Sequence, residues 1–376
     1  MALHKGDRFD ESVAFADAVT SKLSRRLTQF RDFNQTPTYH LNACFSADSR
    51  YLVMASWDAE GDSCLLRAEV ATGEITVLAA LPRASGEDYN GNNVSLIQAS
   101  QWVAANTGKT LRLCHLETLE ERVLLDLSGT EQRFGHPIGS LDGTKVFIPR
   151  MTKRVIPGET KDVSVTHLEV EIASGATREL FFDEGRACNH LVPNPVDPDL
   201  LLIDRDLPPK FAHGGDGGQT SRVWVLNRVT GAVTEIRPRD PHRFQIHSNW
   251  NSTGERVLHH AKSAHGGHYI GASDATGRSV FERWYPEFHY GHMCTHPSED
   301  VMITDGLFTS DLVIKIHYRE LDESGAPRLE VLARHSSDWS KGQQSHPHCH
   351  VSRDGRWLSY NKGDAGRSDV YVVRIA

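Results

Sequence analysis

The chain has 376 residues and a mass of 41.9 kDa, enough for two or three ordinary domains or for one large closed architecture. Its formal net charge is -8 and its basic residues are dispersed, which excludes a general nucleic-acid or membrane-surface partner. Hydrophobic residues make up 39% of the chain and charged residues 24%, which is ordinary for a soluble globular protein.

The cysteines and the apolar runs predict the compartment. The six cysteines stand singly, with no CxxC pair, at Cys44, Cys64, Cys114, Cys188, Cys294 and Cys349. This pattern suits a reducing environment better than a disulfide framework or a zinc knuckle. The N-terminal residues lack the apolar segment of a signal peptide, and no apolar run approaches the length of a membrane span. We therefore expect a cytoplasmic protein.

The first elements of the chain precede any repeat. Residues 10–18 have the pattern of a short amphipathic helix, which would be an addition to the main fold. Residues 19–28 alternate as a β-strand does and belong to no repeating unit of their own. We expect this strand to complete the last unit of the chain, which ends at Ala376 without its final hairpin partner.

Two landmarks recur along the rest of the chain. The first is a polar turn followed by an apolar strand, at Asp48, Asp142, Asp199, Gly254, Asp300 and Asp354. The second is a hairpin with a small residue and a glycine at its tip, at Gly73, Gly175, Gly231, Gly277 and Gly325. The spacing of the units, roughly 45 to 57 residues, is that of a four-stranded propeller blade.

The repeat predicts an all-β fold, a seven-bladed β-propeller whose ring is closed by the N-terminal strand in the last blade. A doubly wound α/β fold is excluded because no long helical periodicity separates the strands. No low-complexity linker interrupts the pattern, so residues 1–376 are expected to form a single propeller domain.

Histidines recur at one point of the repeat, just ahead of the turn that opens each unit. The members of this set are His40, His136, His190, His247, His292 and His346. His40, for example, lies eight residues before Asp48. Because the first strand of each blade lines the central channel of a propeller, these side chains are expected to converge there.

Metal-binding residue types are densest in the run QQSHPH at residues 343–348. On an extended strand, residues two apart face the same side, so His346 and His348 would point into the channel together. Neutral imidazoles are common ligands of first-row transition metals. Gln343, His346 and His348, with His292 from the adjacent blade, would form a four-ligand site. Alternatively, the run is a surface strand with solvated histidines.

Four stretches of the chain share one set of motifs: YHLNACFS at residues 39–46, SRVWVLN at residues 221–227, His292 with Asp305 and Gly306 downstream, and the QQSHPH run. Together they resemble the oligogalacturonate lyases. The resemblance covers essentially the whole chain and implies a cytoplasmic propeller that degrades short pectin fragments by β-elimination with manganese. It also implies metal ligands at His292, Gln343, His346 and His348, a catalytic base at His247 and an active-site arginine at Arg222.

The chemistry of β-elimination suits these residue types. The proton next to a uronate carboxylate is weakly acidic, and its removal is favoured by positive charge on that carboxylate, from a divalent cation and from Arg222. A neutral His247 with a pKa near the working pH would accept the proton. Arg222 would otherwise be an exposed charge at the start of a blade strand.

Further residues are expected to contact the sugar. His40 and His190 would bind substrate hydroxyls and Arg205 a second carboxylate, although each is also consistent with a structural role. The segment around Arg205 replaces a His-Glu-Gly-Pro stretch usual in the family, which leaves the accepted sugar open. Glycine-rich loops containing His213 and His265 would form a rim over the site.

The sequence thus predicts a metal-dependent lyase whose partner is a small oligosaccharide bearing a uronate, without a nucleic-acid or membrane partner. Manganese or another divalent metal would be its cofactor. Two alternatives stay open. The same metal site would serve a lyase or epimerase of another sugar acid or glycoside, or the propeller would bind a ligand without catalysis.

Overall fold

The structure, a computed structural model, is almost entirely β-structure. It describes residues 3–29, 33–58, 60, 62–81, 89–152, 163–186, 188, 190–205, 222–236, 243–263, 268–284, 291–306, 311–321, 323, 325–339, 343–364 and 367–376. Short 3-10 turns lie at Gly91–Asn93 and Gln343–Ser345. Within the described ranges, no helix has the length and apolar composition needed to cross a membrane.

The strands are distributed along the whole described chain. Those of the first half of the chain are β1 (Arg8–Asp10), β2 (Val13–Ala16), β3 (Leu23–Arg26), β4 (Asn34–Pro37), β5 (Tyr51–Trp57), β6 (Ser63–Glu69), β7 (Glu74–Ala80), β8 (Val94–Ile97), β9 (Trp102–Asn106), β10 (Thr110–His115), β11 (Glu121–Asp126), β12 (Arg133–Phe134), β13 (Ile138–Gly139), β14 (Lys145–Met151), β15 (Ser164–Glu171) and β16 (Thr177–Glu184). Those of the second half are β17 (Leu191–Pro193), β18 (Leu200–Asp204), β19 (Val223–Asn227), β20 (Val233–Glu235), β21 (Arg243–Trp250), β22 (Val257–Ser263), β23 (His268–Ser273), β24 (Ser279–Trp284), β25 (Met293–Thr295), β26 (Met302–Thr304), β27 (Leu312–Leu321), β28 (Pro327–Arg334), β29 (His350–Val351), β30 (Trp357–Asp364) and β31 (Arg367–Arg374).

Antiparallel pairing groups these strands into sheets that form the blades of a ring. Blades 1 to 6 contain β4–β7, β8–β11, β12–β16, β17–β20, β21–β24 and β25–β28, and blade 7 contains β29–β31 with β3. The innermost strands contact one another between blades 2 and 3, 3 and 4, 5 and 6, and 6 and 7, and β4 of blade 1 contacts β30 and β31 of blade 7. The structure therefore confirms the predicted seven-bladed β-propeller.

The ring closes through the N-terminal part of the chain. Strand β3 pairs with β31, with Ser24 opposite Val373 and Arg26 opposite Tyr371, so the predicted closing strand is confirmed. Two additional strands extend the outer edges: β2 pairs with β3 on blade 7, and β1 pairs with β7 on blade 1. The N-terminal segment thus binds to the first and last blades at once.

The short helix expected over residues 10–18 is wrong. Its central residues form β2, which pairs with β3 through a tight turn. The Asp17 carboxylate accepts the backbone N–H groups of Val19 and Thr20, at 3.0 and 2.8 Å, and so stabilises that turn. A side chain that hydrogen-bonds to the neighbouring backbone in this way competes with the hydrogen bonds of a helix. Pairing with β3 then makes the segment a strand.

The polar turns of the repeat have a common hydrogen-bond pattern in blades 1, 3 and 7. In each, a serine hydroxyl donates to an aspartate Oδ1 two residues later, at 2.5–2.6 Å, and accepts the backbone N–H five residues later, at 2.9–3.0 Å. The pairs are Ser46 with Asp48, Ser140 with Asp142 and Ser352 with Asp354. Because these bonds are local, the turn is encoded by a few residues.

The hydrophobic core lies between the blades. All seven residues of β5 are buried, since neighbouring blades cover both faces of the sheet, and strict polar alternation is therefore lost. Trp250 of β21 is only 2% exposed, and its Nε1–H donates to the carbonyl of Val192 on β17, at 3.1 Å. Side chains of this kind join one blade to the next and hold the inner strands in place.

Arg25 links the closing strand to blade 1. Its guanidinium donates to the Ser12 hydroxyl at 2.8 Å and to the carbonyls of Thr72 and Ala71 at 2.9 and 3.1 Å. We expect Arg25→Ala to lower the free energy of unfolding by about 1 kcal/mol, measured by urea denaturation, because these bonds join the two ends of the ring. The exposed Arg8, paired with Glu74 at 3.8 Å, is the control. An equal loss in Arg8→Ala would contradict a specific role for Arg25.

Candidate metal and catalytic site

The histidines of the repeat lie where the innermost strands are interrupted. His247 lies at a β-bulge in β21, with a φ of 41°, and His136 lies between the two short strands β12 and β13. His190 and His292 immediately precede β17 and β25. A bulge or strand end breaks the alternation of side chains, so these positions can direct an imidazole independently of the sheet.

These interruptions bring the imidazoles together around His292. The centroid of its ring lies 4.3 Å from that of His348, 4.6 Å from that of His247 and 5.0 Å from that of His40. The ring of His346 is 5.3 Å away. The residues come from blades 1, 5, 6 and 7, so the convergence expected from the repeat is present in the structure.

Three of these histidines form a group that could hold a metal ion. One nitrogen from each of His292, His346 and His348 lies within 4.8 Å of the others. Gln343 Oε1 is 3.2 Å from His348 Nε2, so the amide lies at the edge of the same group. Nδ1 of both His346 and His348 is buried without a hydrogen-bond partner among the described residues. Buried lone pairs of this kind suit a cation as partner.

His346 and His348 are held in the neutral form. Burial, followed by the neighbouring His292, lowers the pKa of His346 to about 4. Burial and then His292 and His346 lower the pKa of His348 well below its usual range. Neutral imidazole is the form that binds metals, so the environment favours the ligand state of both residues.

The QQSHPH run is not the extended strand that we expected. Residues Gln343–Ser345 form a 3-10 turn, His348 has a φ of 46°, and β29 begins only at His350. Pro347 has no N–H to give to a ladder, and the N–H of His348 donates to Asp305 Oδ2 at 3.0 Å instead of to a strand. His346 and His348 therefore approach each other through a turn rather than through strand alternation.

His247 is fixed by the backbone of the next blade. Its Nδ1 lies 2.8 Å from the carbonyl oxygen of Gly291, which also receives His260 Nε2 at 2.6 Å. Because a carbonyl only accepts, Nδ1 of His247 carries the proton and Nε2 keeps the lone pair. Burial first, then the neighbouring histidines His292, His40 and His260, and last the Arg222 guanidinium, lower the pKa of His247 well below its usual range.

His40 is held in the same way on the other side of His292. Its Nδ1 donates to the carbonyl of Met293 at 2.6 Å, and its Nε2 is buried without a partner among the described residues. Burial is the main reason that its pKa lies well below the usual range. The carbonyls on either side of His292 thus orient two neutral histidines, and each presents an Nε2 lone pair.

Arg222 and His190 belong to a polar cluster beside these histidines. Arg222 Nη2 donates to Asp204 Oδ2 at 2.9 Å, and His190 Nε2 lies 3.8 Å from the same oxygen. Nδ1 of His190 is 3.1 Å from Nδ1 of His136. Tyr39 stacks on His190 with ring centroids 4.9 Å apart and also contacts His292 at 5.7 Å. Tyr39 therefore connects this cluster to the three-histidine group.

Arg205 has different partners. Its Nε and Nη2 donate to both carboxylate oxygens of Asp183, at 2.6 and 2.9 Å, and its guanidinium lies 4.3 Å from the ring centroid of Trp224. None of these contacts involves the central histidines. Arg205 would have to leave Asp183 in order to bind a substrate carboxylate, so that role stays a prediction. The loops containing His213 and His265 lie outside the described residues.

Three contributors were not identified as such in the sequence. Asp305 binds both His292 and His348, Tyr39 contacts several imidazoles, and His260 shares the Gly291 carbonyl with His247. In the sequence, Asp305 stands out only as part of the motif that resembles the lyases. A stronger signal is available in retrospect: Asp305 is a charged residue directly after the buried apolar strand β26.

Neither a protein-family model nor a curated protein sequence matches the chain. Solved structures match its fold. A structure of an oligogalacturonate lyase in complex with manganese superposes with a TM-score of 0.80 and 16% identity, covering 100% of this chain and 99% of that one. The oligogalacturonate lyase from Vibrio parahaemolyticus gives a TM-score of 0.79 and 18% identity, covering 99% of each chain.

A third similar structure shows how closely the chain superposes on another kind of propeller. A structure of WD40 repeats gives a TM-score of 0.58 and 12% identity, covering 97% of this chain and 100% of that one. The two lyase structures follow the chain more closely over the same length. The chain is therefore similar in fold, from end to end, to the oligogalacturonate lyases.

Proposed function

We propose that the protein is a metal-dependent lyase that cleaves short uronate-containing oligosaccharides, such as oligogalacturonates, by β-elimination. The observation that supports this most is the buried three-histidine group with a neutral His247 beside it, whose ring centroid is 4.6 Å from that of His292. The similarity in fold to an oligogalacturonate lyase in complex with manganese adds to this. We also propose a cytoplasmic location.

The proposed metal ligands are His292, His346, His348 and Gln343. Their chemistry fits a divalent first-row cation such as Mn²⁺, because neutral buried imidazoles and an amide oxygen are available in one place. Bound there, the cation would supply positive charge next to a substrate carboxylate and offset the negative charge that builds on it. The unpartnered Nδ1 atoms of His346 and His348 are the structural feature that such a ligand would explain.

His247 is the proposed catalytic base. With Nδ1–H donated to the Gly291 carbonyl, Nε2 is left to accept the proton on the carbon next to the uronate carboxylate. The electrons of that C–H bond then form a C=C double bond, and the glycosidic C–O bond breaks with its pair leaving on oxygen. Burial keeps His247 neutral, but it lowers the pKa of the imidazole below the value near the working pH that was expected from the sequence, so His247 is a weaker base in the metal-free protein.

Arg222, His40 and His190 are the proposed contacts to the rest of the substrate. Arg222 contributes to the lowered pKa of His247, after burial and the neighbouring histidines, and it would have to share or leave Asp204, its partner at 2.9 Å, in order to bind a substrate carboxylate. A guanidinium can hold a carboxylate through two parallel hydrogen bonds. Nε2 of His40 would accept a hydrogen bond from a substrate hydroxyl. His190, in the cluster around Tyr39, would bind a second hydroxyl.

The test is the release of an unsaturated uronate or its keto form from digalacturonate, with Mn²⁺ either added or chelated. We expect carbonyl product to form only when the metal is present. The chelated sample, restored with Mn²⁺, is the control for irreversible damage. If metal binds but no product forms, the substrate is wrong, and a panel of other sugar acids tests the same site. If neither metal binding nor turnover is observed, a binding propeller is supported instead.

A further inference from the structure

The carboxylate of Asp305 lies behind the three-histidine group and contacts two of its members. We propose that Asp305 is a positioning residue of the metal site, which holds His292 and His348 in the arrangement that binds a divalent cation. The inference rests on the proposed function, from which it takes the identity of the ligands, and it assigns Asp305 no contact with substrate.

Asp305 makes three hydrogen bonds to these two residues. Oδ1 accepts the backbone N–H of His292 at 2.7 Å, and Oδ2 accepts its ring Nδ1–H at 2.9 Å. Oδ2 also accepts the backbone N–H of His348 at 3.0 Å. The carboxylate is wholly buried, so water does not compete for these donors. One side chain thus ties a ring on blade 6 to the backbone of blade 7.

The surrounding backbone keeps the carboxylate in this position. Strands β25 and β26 pair with Met293 opposite Thr304, and continuing this register by one residue puts His292 opposite Asp305. The buried His335 donates Nε2–H to the Asp305 carbonyl at 2.8 Å. A Cβ on Gly291 would lie 2.6 Å from Asp305 Oδ1, so only glycine leaves room for the carboxylate there.

The chemistry of these contacts favours metal binding in two ways. A carboxylate oxygen only accepts, so Nδ1 of His292 keeps its proton and Nε2 is left as the ligand atom. The negative charge of Asp305 also offsets part of a cation's charge at a site whose other members, His346 and His348, are neutral. Outer carboxylates of this type orient the ligand and raise its basicity.

Asp305→Asn in the full-length protein tests the proposal. The substitution removes the charge and turns one acceptor oxygen into an N–H₂ group, which faces a donor in either orientation of the amide. We expect Mn²⁺ to bind about 10–100-fold more weakly than to the unchanged protein, as measured by the electron paramagnetic resonance of free Mn²⁺. The control is Asp311→Asn, since Asp311 is partly exposed and paired with Arg334. This variant should bind Mn²⁺ as the unchanged protein does.

A second readout separates positioning from general support of the fold. In the metal-free protein, imidazole nitrogen NMR should show His292 as the Nδ1–H tautomer. In Asp305→Ala, which leaves no acceptor, the Nε2–H tautomer should appear while the circular dichroism spectrum is retained. Unchanged Mn²⁺ affinity in both variants, or a loss matched by the unfolded fraction alone, overturns the proposal.

The outcomes also separate this inference from the proposed function, because no uronate is used. Mn²⁺ binding that weakens in Asp305→Asn supports the positioning role even if the unchanged protein cleaves no uronate. In that case the proposed substrate is wrong and the role of Asp305 stands. If the unchanged protein does not bind Mn²⁺, both proposals are overturned.

Discussion

His247→Gln is expected to lower the rate of uronate cleavage by a factor of about 10² to 10⁴, which is the usual contribution of a positioned general base. Glutamine occupies a similar volume and can still donate to the Gly291 carbonyl, but it has no basic lone pair to replace Nε2. The effect should lie in kcat, because His247 is not a proposed metal ligand. Steady-state rates at saturating Mn²⁺, together with the Mn²⁺ affinity of the variant, measure both quantities.

A matched control is His115→Gln, which replaces a histidine in the hairpin of blade 2, where Nδ1 accepts the backbone N–H groups of Glu117 and Thr118. Its turnover should equal that of the unchanged protein. Near-normal turnover in His247→Gln, with Mn²⁺ still bound, would eliminate His247 as the base. His40, whose Nε2 lone pair is held in the same way, would then be the next residue to replace.

Acid is expected to destabilise the metal-free protein by several kcal/mol between neutral pH and about pH 5. Burial lowers the pKa of His167 and of His350 to about 4, and that of His260 to about 3. In the unfolded chain a histidine takes up a proton near pH 6.5, whereas these three do so only at lower pH. Below pH 6.5 the unfolded state therefore binds more protons, and stability falls as the pH falls.

The size of this effect follows from the difference in pKa. At about pH 5, each of the three histidines would lower the free energy of unfolding by up to about 2 kcal/mol. Since typical domains have only about 5–15 kcal/mol, acid unfolding should begin well above the pKa of the carboxylates. Urea denaturation at several pH values, with chelator present throughout, measures the slope. A free energy of unfolding that stays constant from pH 7 to pH 5 would show that these histidines are protonated without opening the fold.

The propeller could be predicted because its determinants are local and repeated. The turn made by Ser46 and Asp48 recurs with the same spacing at Ser352 and Asp354, and each copy is stabilised within about six residues of chain. The closing strand could also be predicted, since the last unit lacked a partner and only one unassigned strand was available. Local patterns failed at residues 10–18, where pairing with β3 outweighs the helical pattern.

The candidate site, like the fold, was predictable from the sequence in part. By itself, the sequence determined which residue types recur ahead of each turn, and therefore that His40, His136, His190, His247, His292 and His346 would approach one axis. The tertiary structure alone decided how each imidazole is held. The carbonyl that fixes His40 belongs to Met293, 253 residues further along the chain, and the carboxylate that binds His348 lies 43 residues before it. Such partners are set by the closure of the ring, which brings strand ends from different blades together, and no local pattern in the chain specifies them.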